Sequence, residues 1–173
     1  ISDLKLAEQA GYIKDVPHFN TLLRSFEDTG MSIILPYLIN VSALPLKHVE
    51  ESFALDSTGF GNHRFDRWFD IRTKSDSKKR GWRKCHAVCG VKTNIITNVQ
   101  ITDGKAADSP QFNPLLTQAT QLFNVKEITA DKAYSSRANL ELAKQLGAMP
   151  YIPFKKNAKR NSKGSPTWSK MFE

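Results

Sequence analysis

The alternation of apolar and polar residues changes character near residue 50. Before that point, apolar positions recur every three or four residues, and glycines such as Gly11 stand where helices would end. Pro17 suits the first turn of a second helix, whose apolar positions are Phe19, Leu22, Leu23 and Phe26. We therefore predict a small helical N-terminal region over residues 1–50.

From residue 51 onward, short apolar runs alternate with turns and with two amphipathic segments. The predicted order is a strand, a long polar stretch, a hairpin of two strands, a helix, a strand, a helix and a strand. Such an order predicts an α/β fold over residues 51–173, a mixed sheet with helices packed on it. The strands are expected at 52–57 (bounded by Gly59 and Gly61), 85–91, 95–102, 125–130 and 148–153. The helices are expected at 109–123 and after a cap at Ser135 or Ser136, and a basic mobile loop over the last twenty residues.

Two aspartates stand at the ends of predicted strands. Asp56 follows one apolar run and Asp131 follows another. Carboxylates on neighbouring strands can converge, and hard divalent cations prefer such oxygen ligands. An aspartate after a strand is also a common turn residue or helix cap, which is the role we expect for Asp103 and Asp108.

Four blocks of the sequence resemble the DDE transposases of prokaryotic insertion sequences. The most specific is the last, because the second aspartate of that family stands in an Asp-Lys-Gly-Tyr-like sequence. Here Ala133 stands where Gly is usual. The resemblance covers about residues 15–173, and its blocks are Ala54-Leu55-Asp56-Ser57-Thr58, Lys84-Cys85-His86, Thr102–Asp108 and Thr129-Ala130-Asp131-Lys132-Ala133-Tyr134-Ser135-Ser136.

This resemblance implies a ribonuclease-H-like core in which Asp56 and Asp131 are catalytic, metal-binding carboxylates for two Mg²⁺ or Mn²⁺ ions. The implied reaction is metal-dependent strand cleavage at the ends of an insertion sequence, followed by transfer into target DNA. The family places a third carboxylate, a Glu, on a helix beyond the fifth strand, and no such pattern follows Pro153. We therefore expect the chain to end before that Glu and to be inactive alone, with Glu141 a solvated surface residue.

The chain has a formal charge of +8, and its basic residues are concentrated after residue 55. Residues 1–55 have four basic and seven acidic side chains, a net of −3, whereas residues 56–173 have a net of +11. A basic region with interspersed aromatic residues indicates a polyanion such as DNA, although a solvated loop can have the same composition. The predicted DNA-binding residues are Lys78, Lys79, Arg80, Arg83, Lys84, Lys132, Lys155, Lys156, Lys159 and Arg160.

The resemblance also implies the partners and the location of the protein. These are transposon ends and target DNA, in the cytoplasm of a prokaryotic cell at its nucleoid, with a homodimer left open. The N-terminal helices either belong to a DNA-binding region, against which their acidic charge argues, or brace the core or mediate dimerisation. No apolar run approaches the ~20 residues that a membrane span needs, so we expect no membrane partner.

The two cysteines, Cys85 and Cys89, are four residues apart in a predicted strand and so share one face. This spacing disfavours a disulfide, and a zinc site would need more ligands, since His86 points to the other face. We predict two packed free thiols. His86 is either a structural residue or, by the resemblance, a neighbour of the acidic site.

Two other functions share these features. A ribonuclease-H-like nuclease would use the same aspartates but would not join DNA ends. A non-catalytic remnant of a transposase would bind DNA through its basic face, with a strong salt dependence, and would be indifferent to Asp56→Asn.

Overall fold

The computed structural model describes residues 2–61, 82–160 and 164–172. The chain forms two compact units, Ile1–Leu38 and Ile39–Glu173. The predicted helical region is confirmed as far as Leu46. The division between the two units falls inside the helix Met31–Ala43, so the predicted domain boundary at residue 50 stays a prediction. Its elements are α1 (Ser2–Gln9), α2 (Phe19–Glu27), α3 (Met31–Ala43) and a 3-10 turn (Leu44–Leu46).

The ends of the first two helices follow local chemistry. Gly11, with a φ of 77°, stands in the left-handed region just after α1, as predicted. The prediction for Pro17 was wrong, because His18 caps α2 by accepting a hydrogen bond from the Asn20 amide at 3.3 Å. Pro17 therefore precedes the cap.

Among the described helices, no single one is long and apolar enough to cross a membrane. One bent pair of helices meets that criterion only when its two members are taken together, and only by length and composition: Phe19–Glu27 and Met31–Leu46.

The second unit contains a five-stranded mixed sheet in the order β3-β2-β1-β4-β5. Strands β1, β2 and β3 are antiparallel, whereas β4 is parallel to β1 and β5 is parallel to β4. This is the mixed sheet with flanking helices predicted for a ribonuclease-H-like core. The strands are β1 (Ser52–Gly61), β2 (Trp82–Gly90), β3 (Ile96–Asp103), β4 (Glu127–Ala130) and β5 (Met149–Tyr151).

Strand β1 is longer than predicted, because Gly59 and Gly61 belong to it instead of ending it. Both glycines pair with β2. The indole ring of Trp82 lies against Gly59 so closely that a Cβ there would stand 2.2 Å from the ring atom Cζ2. Gly59 is therefore a position of close approach within a strand, and not a turn residue.

An apolar core joins the sheet to the helices of the second unit. The apolar core joins Phe53 and Leu55 of β1 with Leu115 and Leu116 of the following helix, and all four are buried. Burial of each such side chain stabilises the fold by ~1.5–3 kcal/mol. The remaining elements are a 3-10 turn (Ser109–Gln111), α4 (Phe112–Leu122), a 3-10 turn (Lys132–Tyr134), α5 (Arg137–Gln145) and α6 (Pro166–Met171).

Helix α5 begins and ends as predicted. The Ser136 hydroxyl caps it by accepting a hydrogen bond from the Asn139 amide at 3.1 Å. Gly147, with a φ of 83°, follows its last turn. The chain then enters β5.

The prediction of a mobile loop over the last twenty residues was wrong, and so was the prediction for Glu141. Residues 166–171 form α6, whose cap residue Ser165 donates to Glu141 Oε1 at 2.6 Å. Glu141 also accepts from the Thr167 amide at 2.9 Å and from its hydroxyl at 2.8 Å. The Glu141 carboxylate therefore connects α5 to α6 through these hydrogen bonds. The hydrogen bonds also lower the pKa of Glu141, and the one from Ser165 has the largest effect.

Candidate active site

The sheet places Asp56 and Asp131 side by side. The parallel ladder pairs Leu55 of β1 with Ala130 of β4. Asp56 directly follows Leu55 in the sequence, and Asp131 directly follows Ala130. Asp131 keeps an extended backbone, with φ −74° and ψ 169°. Neighbouring strands lie about 4.8 Å apart, and residues matched across a parallel ladder project to the same face. The two carboxylates, both exposed, therefore leave the sheet edge together.

Each carboxylate accepts a local backbone hydrogen bond through Oδ1. Asp56 accepts from the Ser57 amide at 2.7 Å. Asp131 accepts from the Ala133 amide and so caps the 3-10 turn Lys132–Tyr134. Asp131 thus has the capping role that is common after a strand, and the hydrogen bond fixes its carboxylate at the end of β4.

A buried polar layer lies beneath the aspartates. His86 is fully buried, and its Nδ1 is 3.1 Å from the Tyr134 hydroxyl while its Nε2 is 3.0 Å from Thr102 Oγ1. Burial lowers the pKa of His86, whereas the nearby Asp108 carboxylate raises it by a smaller amount. His86 is therefore a buried structural residue, one of the two roles predicted for it, and it contacts the turn that Asp131 begins.

Asp108 differs from its predicted role. It stands at the cap position of the 3-10 turn Ser109–Gln111, but its side chain makes no capping hydrogen bond. Its Oδ1 instead pairs with Lys84 Nζ at 2.9 Å and accepts from the Ser57 hydroxyl at 3.4 Å. A partly buried ammonium needs a partner, and Lys84 also donates to the Ala106 carbonyl at 3.0 Å. Asp103 is a turn residue as predicted, accepting from the Lys105 amide at 3.0 Å.

Tyr134 is the residue on which these groups converge. Burial raises the pKa of its phenol far above the ordinary value, with the nearby Ser57 hydroxyl opposing this shift. Three carboxylates add to the increase, those of Asp108, Asp56 and Asp131. The phenol is therefore neutral and close to both candidate metal ligands.

Asn139 connects the two loops that flank the site. Its Nδ2 donates to the Tyr134 carbonyl at 2.7 Å, to the Ser109 carbonyl at 3.0 Å and to Ser109 Oγ at 3.1 Å. Sequence reasoning assigned no role to Tyr134 or Asn139. Tyr134 stood inside the most specific block of the resemblance, whereas a buried asparagine on a helix gives no sequence signal of its own.

A family model described as "Transposase DDE domain" matches residues 47–170, more than half of the chain. The chain belongs to this family. No curated protein sequence matches it.

Solved structures with a similar chain course include the catalytic core domain of BIV integrase, with a TM-score of 0.39, 11% identity and coverage of 71% of this chain and 62% of that chain. A piggyBac transposase synaptic complex with hairpin DNA has a TM-score of 0.40 and 16% identity over 67% of this chain and 27% of that chain. A simian T-cell lymphotropic virus intasome has a TM-score of 0.41 and 13% identity over 71% of this chain and 37% of that chain. The DDE domain thus spans less than two thirds of each of these chains.

The predicted DNA-binding residues of this DDE domain occupy several places. Lys78, Lys79 and Arg80 lie outside the described residues. Arg83 is exposed, 3.9 Å from Asp103, whereas Lys84 is directed to Asp108. The other five are exposed, one beside Asp131 and four after β5: Lys132, Lys155, Lys156, Lys159 and Arg160.

The donor set of the DDE domain fits a hard cation. Asp56 and Asp131 offer carboxylate oxygens at one edge, the ligands that Mg²⁺ and Mn²⁺ prefer. In the part of the chain that the structure describes, no group of three or more His, Cys, Asp or Glu residues is arranged to hold a metal. Cys85 and Cys89 are free and partly buried. They alternate along β2 with the buried His86, and so face away from it.

Proposed function

We propose that this chain is the catalytic core of a DNA transposase of the insertion-sequence type, and that Asp56 and Asp131 hold its Mg²⁺ or Mn²⁺ ions. The observation that supports this most directly is the placement of the two aspartates one residue beyond the last β1–β4 pair. Membership of the DDE family adds the reaction class. The reaction is hydrolysis of a phosphodiester bond at a transposon end, followed by transesterification into target DNA.

The aspartates and the neighbouring lysine have separate roles in this reaction. A bound divalent pair would activate the attacking hydroxyl and stabilise the leaving 3′-oxygen. Asp56 and Asp131 supply the ligands, and the local hydrogen bonds to Oδ1 hold both carboxylates in place before metal arrives. Lys132, exposed next to Asp131, is placed to contact a phosphate near the scissile bond.

We further propose that the exposed basic residues after β5 bind the DNA backbone. Lysines and arginines that neutralise phosphates release counterions, which makes the affinity depend steeply on salt. Lys84 would join this surface only by leaving Asp108. Transposon ends and target DNA would be the partners of the protein and a prokaryotic cytoplasm its location, with a homodimer left open. The complete site would need a third carboxylate, which the resemblance puts on a helix beyond β5.

The test is DNA binding by this chain with and without Mn²⁺. We expect salt-dependent binding of a duplex that Mn²⁺ tightens several-fold, because a cation held by Asp56 and Asp131 would attract the DNA phosphates. The tightening should be absent from Asp56→Asn and Asp131→Asn, while binding without metal is unchanged. Binding that ignores Mn²⁺ and both substitutions would favour a non-catalytic remnant, and metal-dependent cutting without any joined product would favour a nuclease.

A further inference from the structure

We propose that Tyr134 is a positioning residue whose buried phenol joins the turn that carries Asp131 to the β1–β2 ladder next to Asp56. This inference rests on the proposed function, since it concerns how the two metal ligands are held. Tyr134 is not a metal ligand itself. It acts through its neighbour His86.

On one side, Tyr134 belongs to the turn that Asp131 begins. The Tyr134 amide donates to the Asp131 carbonyl at 3.1 Å, and the Asp131 side chain caps the same turn. The ring is 1% exposed, so it cannot move without opening the core. The ring position and the Asp131 backbone are therefore coupled within three residues.

On the other side, the phenol oxygen reaches β2. It is 3.1 Å from His86 Nδ1. His86 pairs in the β1–β2 ladder with Ser57, the residue after Asp56. The phenol thus contacts the strand that pairs with β1 at the position next to Asp56.

The direction of these hydrogen bonds follows from Thr102. Its hydroxyl donates to the Asp103 carbonyl at 3.3 Å, and Thr102 Oγ1 is also 3.0 Å from His86 Nε2. Because the threonine proton is already used, the imidazole donates from Nε2 and accepts at Nδ1. The Tyr134 hydroxyl then donates to Nδ1, which makes His86 a fixed acceptor for the phenol.

A satisfied buried network of this kind restricts its members to one geometry, and losing one partner leaves another unpaired. Two carboxylates on separate strands bind one ion tightly only if their spacing is held within about 0.5 Å. The phenol therefore sets the metal affinity through geometry and not through charge.

The test uses Tyr134→Phe, which keeps the ring and removes the hydroxyl, and Tyr151→Phe as a control at a half-exposed tyrosine of β5. We expect Tyr134→Phe to weaken Mn²⁺ binding about five-fold, the equivalent of one hydrogen bond. His86→Phe should also weaken it, and the two changes combined should be less than additive because both remove the hydrogen bond between the phenol and His86.

A second measurement needs no metal. Amide hydrogen exchange at Ala133 and Tyr134, which donate to Asp131, should become about five-fold faster in Tyr134→Phe. Exchange at Leu116 in α4 should stay unchanged. Uniform acceleration that includes Leu116, or unchanged Mn²⁺ affinity in Tyr134→Phe, would show a merely structural tyrosine and overturn the inference.

Failure of the proposed function gives a different result. If the wild-type chain binds no Mn²⁺, or if Asp56→Asn binds it equally well, the metal site itself is refuted. The exchange measurement then decides alone whether Tyr134 holds the Asp131 turn, and no change there would overturn the inference as well.

Discussion

Asp56 and Asp131 each directly follow a member of the last pair of the parallel β1–β4 ladder, Leu55 and Ala130. A shift of one residue in that register would turn one carboxylate to the opposite face of the sheet. The register is fixed by apolar side chains, since Phe53, Leu55 and Ile128 are all buried in the core. The candidate site is therefore a consequence of core packing.

Replacing Asn139 should disturb both loops of the site. Asn139→Asp keeps the size but exchanges a donor for a second acceptor, which leaves the Tyr134 and Ser109 carbonyls unpaired. We expect a loss of about 2–3 kcal/mol in the free energy of unfolding, measured by urea denaturation. Asn113→Asp, at an exposed position of α4, should change it by less than about 0.5 kcal/mol. Equal effects would contradict the role of Asn139.

The contact between Gly59 and Trp82 predicts a steric cost. Gly59→Ala places a Cβ inside the indole ring and should lower the free energy of unfolding by about 1–3 kcal/mol. Removing the ring first should remove the cost, so Gly59→Ala in a Trp82→Ala background should be nearly neutral. The double-mutant cycle measures this directly, and strict additivity would show that the ring is not the obstacle.

The anchoring of α6 by Glu141 should depend on pH. The folded-state pKa of Glu141 is lowered from 4.5, chiefly by the Ser165 hydrogen bond. The stabilisation is therefore complete above pH 4.5 and is lost as the pH falls through the lower folded value. The Thr167 amide, which donates to Glu141, should report this loss by NMR.

In Glu141→Gln that acid transition should disappear. The free energy that holds α6 in place should fall by about 1 kcal/mol at neutral pH, allowing for solvent screening. Glu8→Gln in α1 serves as the matched substitution of an exposed glutamate. A Thr167 resonance that titrates identically in the wild type and in Glu141→Gln would refute the anchor.

Neutralising the basic segment after β5 should change the salt dependence of DNA binding. If Lys155, Lys156 and Lys159 each contact a phosphate, their combined change to Gln should reduce the slope of log K against log salt by about 3. The measurement is fluorescence anisotropy with a labelled duplex over a salt series.

A control of equal charge comes from the acidic part of the chain, where Lys5, Lys14 and Lys47 can be changed to Gln together. This variant should keep the wild-type slope. Equal slopes for both triple variants would mean that the residues after β5 do not bind the backbone.

Much of the fold could be predicted from the sequence because it depends on local patterns. The hairpin of β2 and β3 follows from alternation around a turn in which Asn94 has a φ of 56°. The placement of Asp131 directly after β4 follows from an apolar run, whereas Asp56, expected near the end of a strand, lies inside β1 because that strand continues to Gly61. The hairpin and the position of Asp131 need no knowledge of distant residues.

The errors arise where distant residues decide the structure. Gly59 looks like a strand end until Trp82 is placed beside it. Asp108 looks like a cap until Lys84, 24 residues earlier, supplies a closer partner. Likewise, α6 depends on Glu141, which lies 24 residues before its cap residue.

The central claim is that Asp56 and Asp131 form one divalent-cation site. Calorimetric titration with Mn²⁺ tests it on the wild-type chain, Asp56→Asn, Asp131→Asn and the control Asp103→Asn, a turn aspartate. We expect binding by the wild type, a loss of at least about ten-fold in each site variant, equivalent to 1.4 kcal/mol, and no change in the control. Equal affinity in all four proteins, or no binding by the wild type, would contradict it.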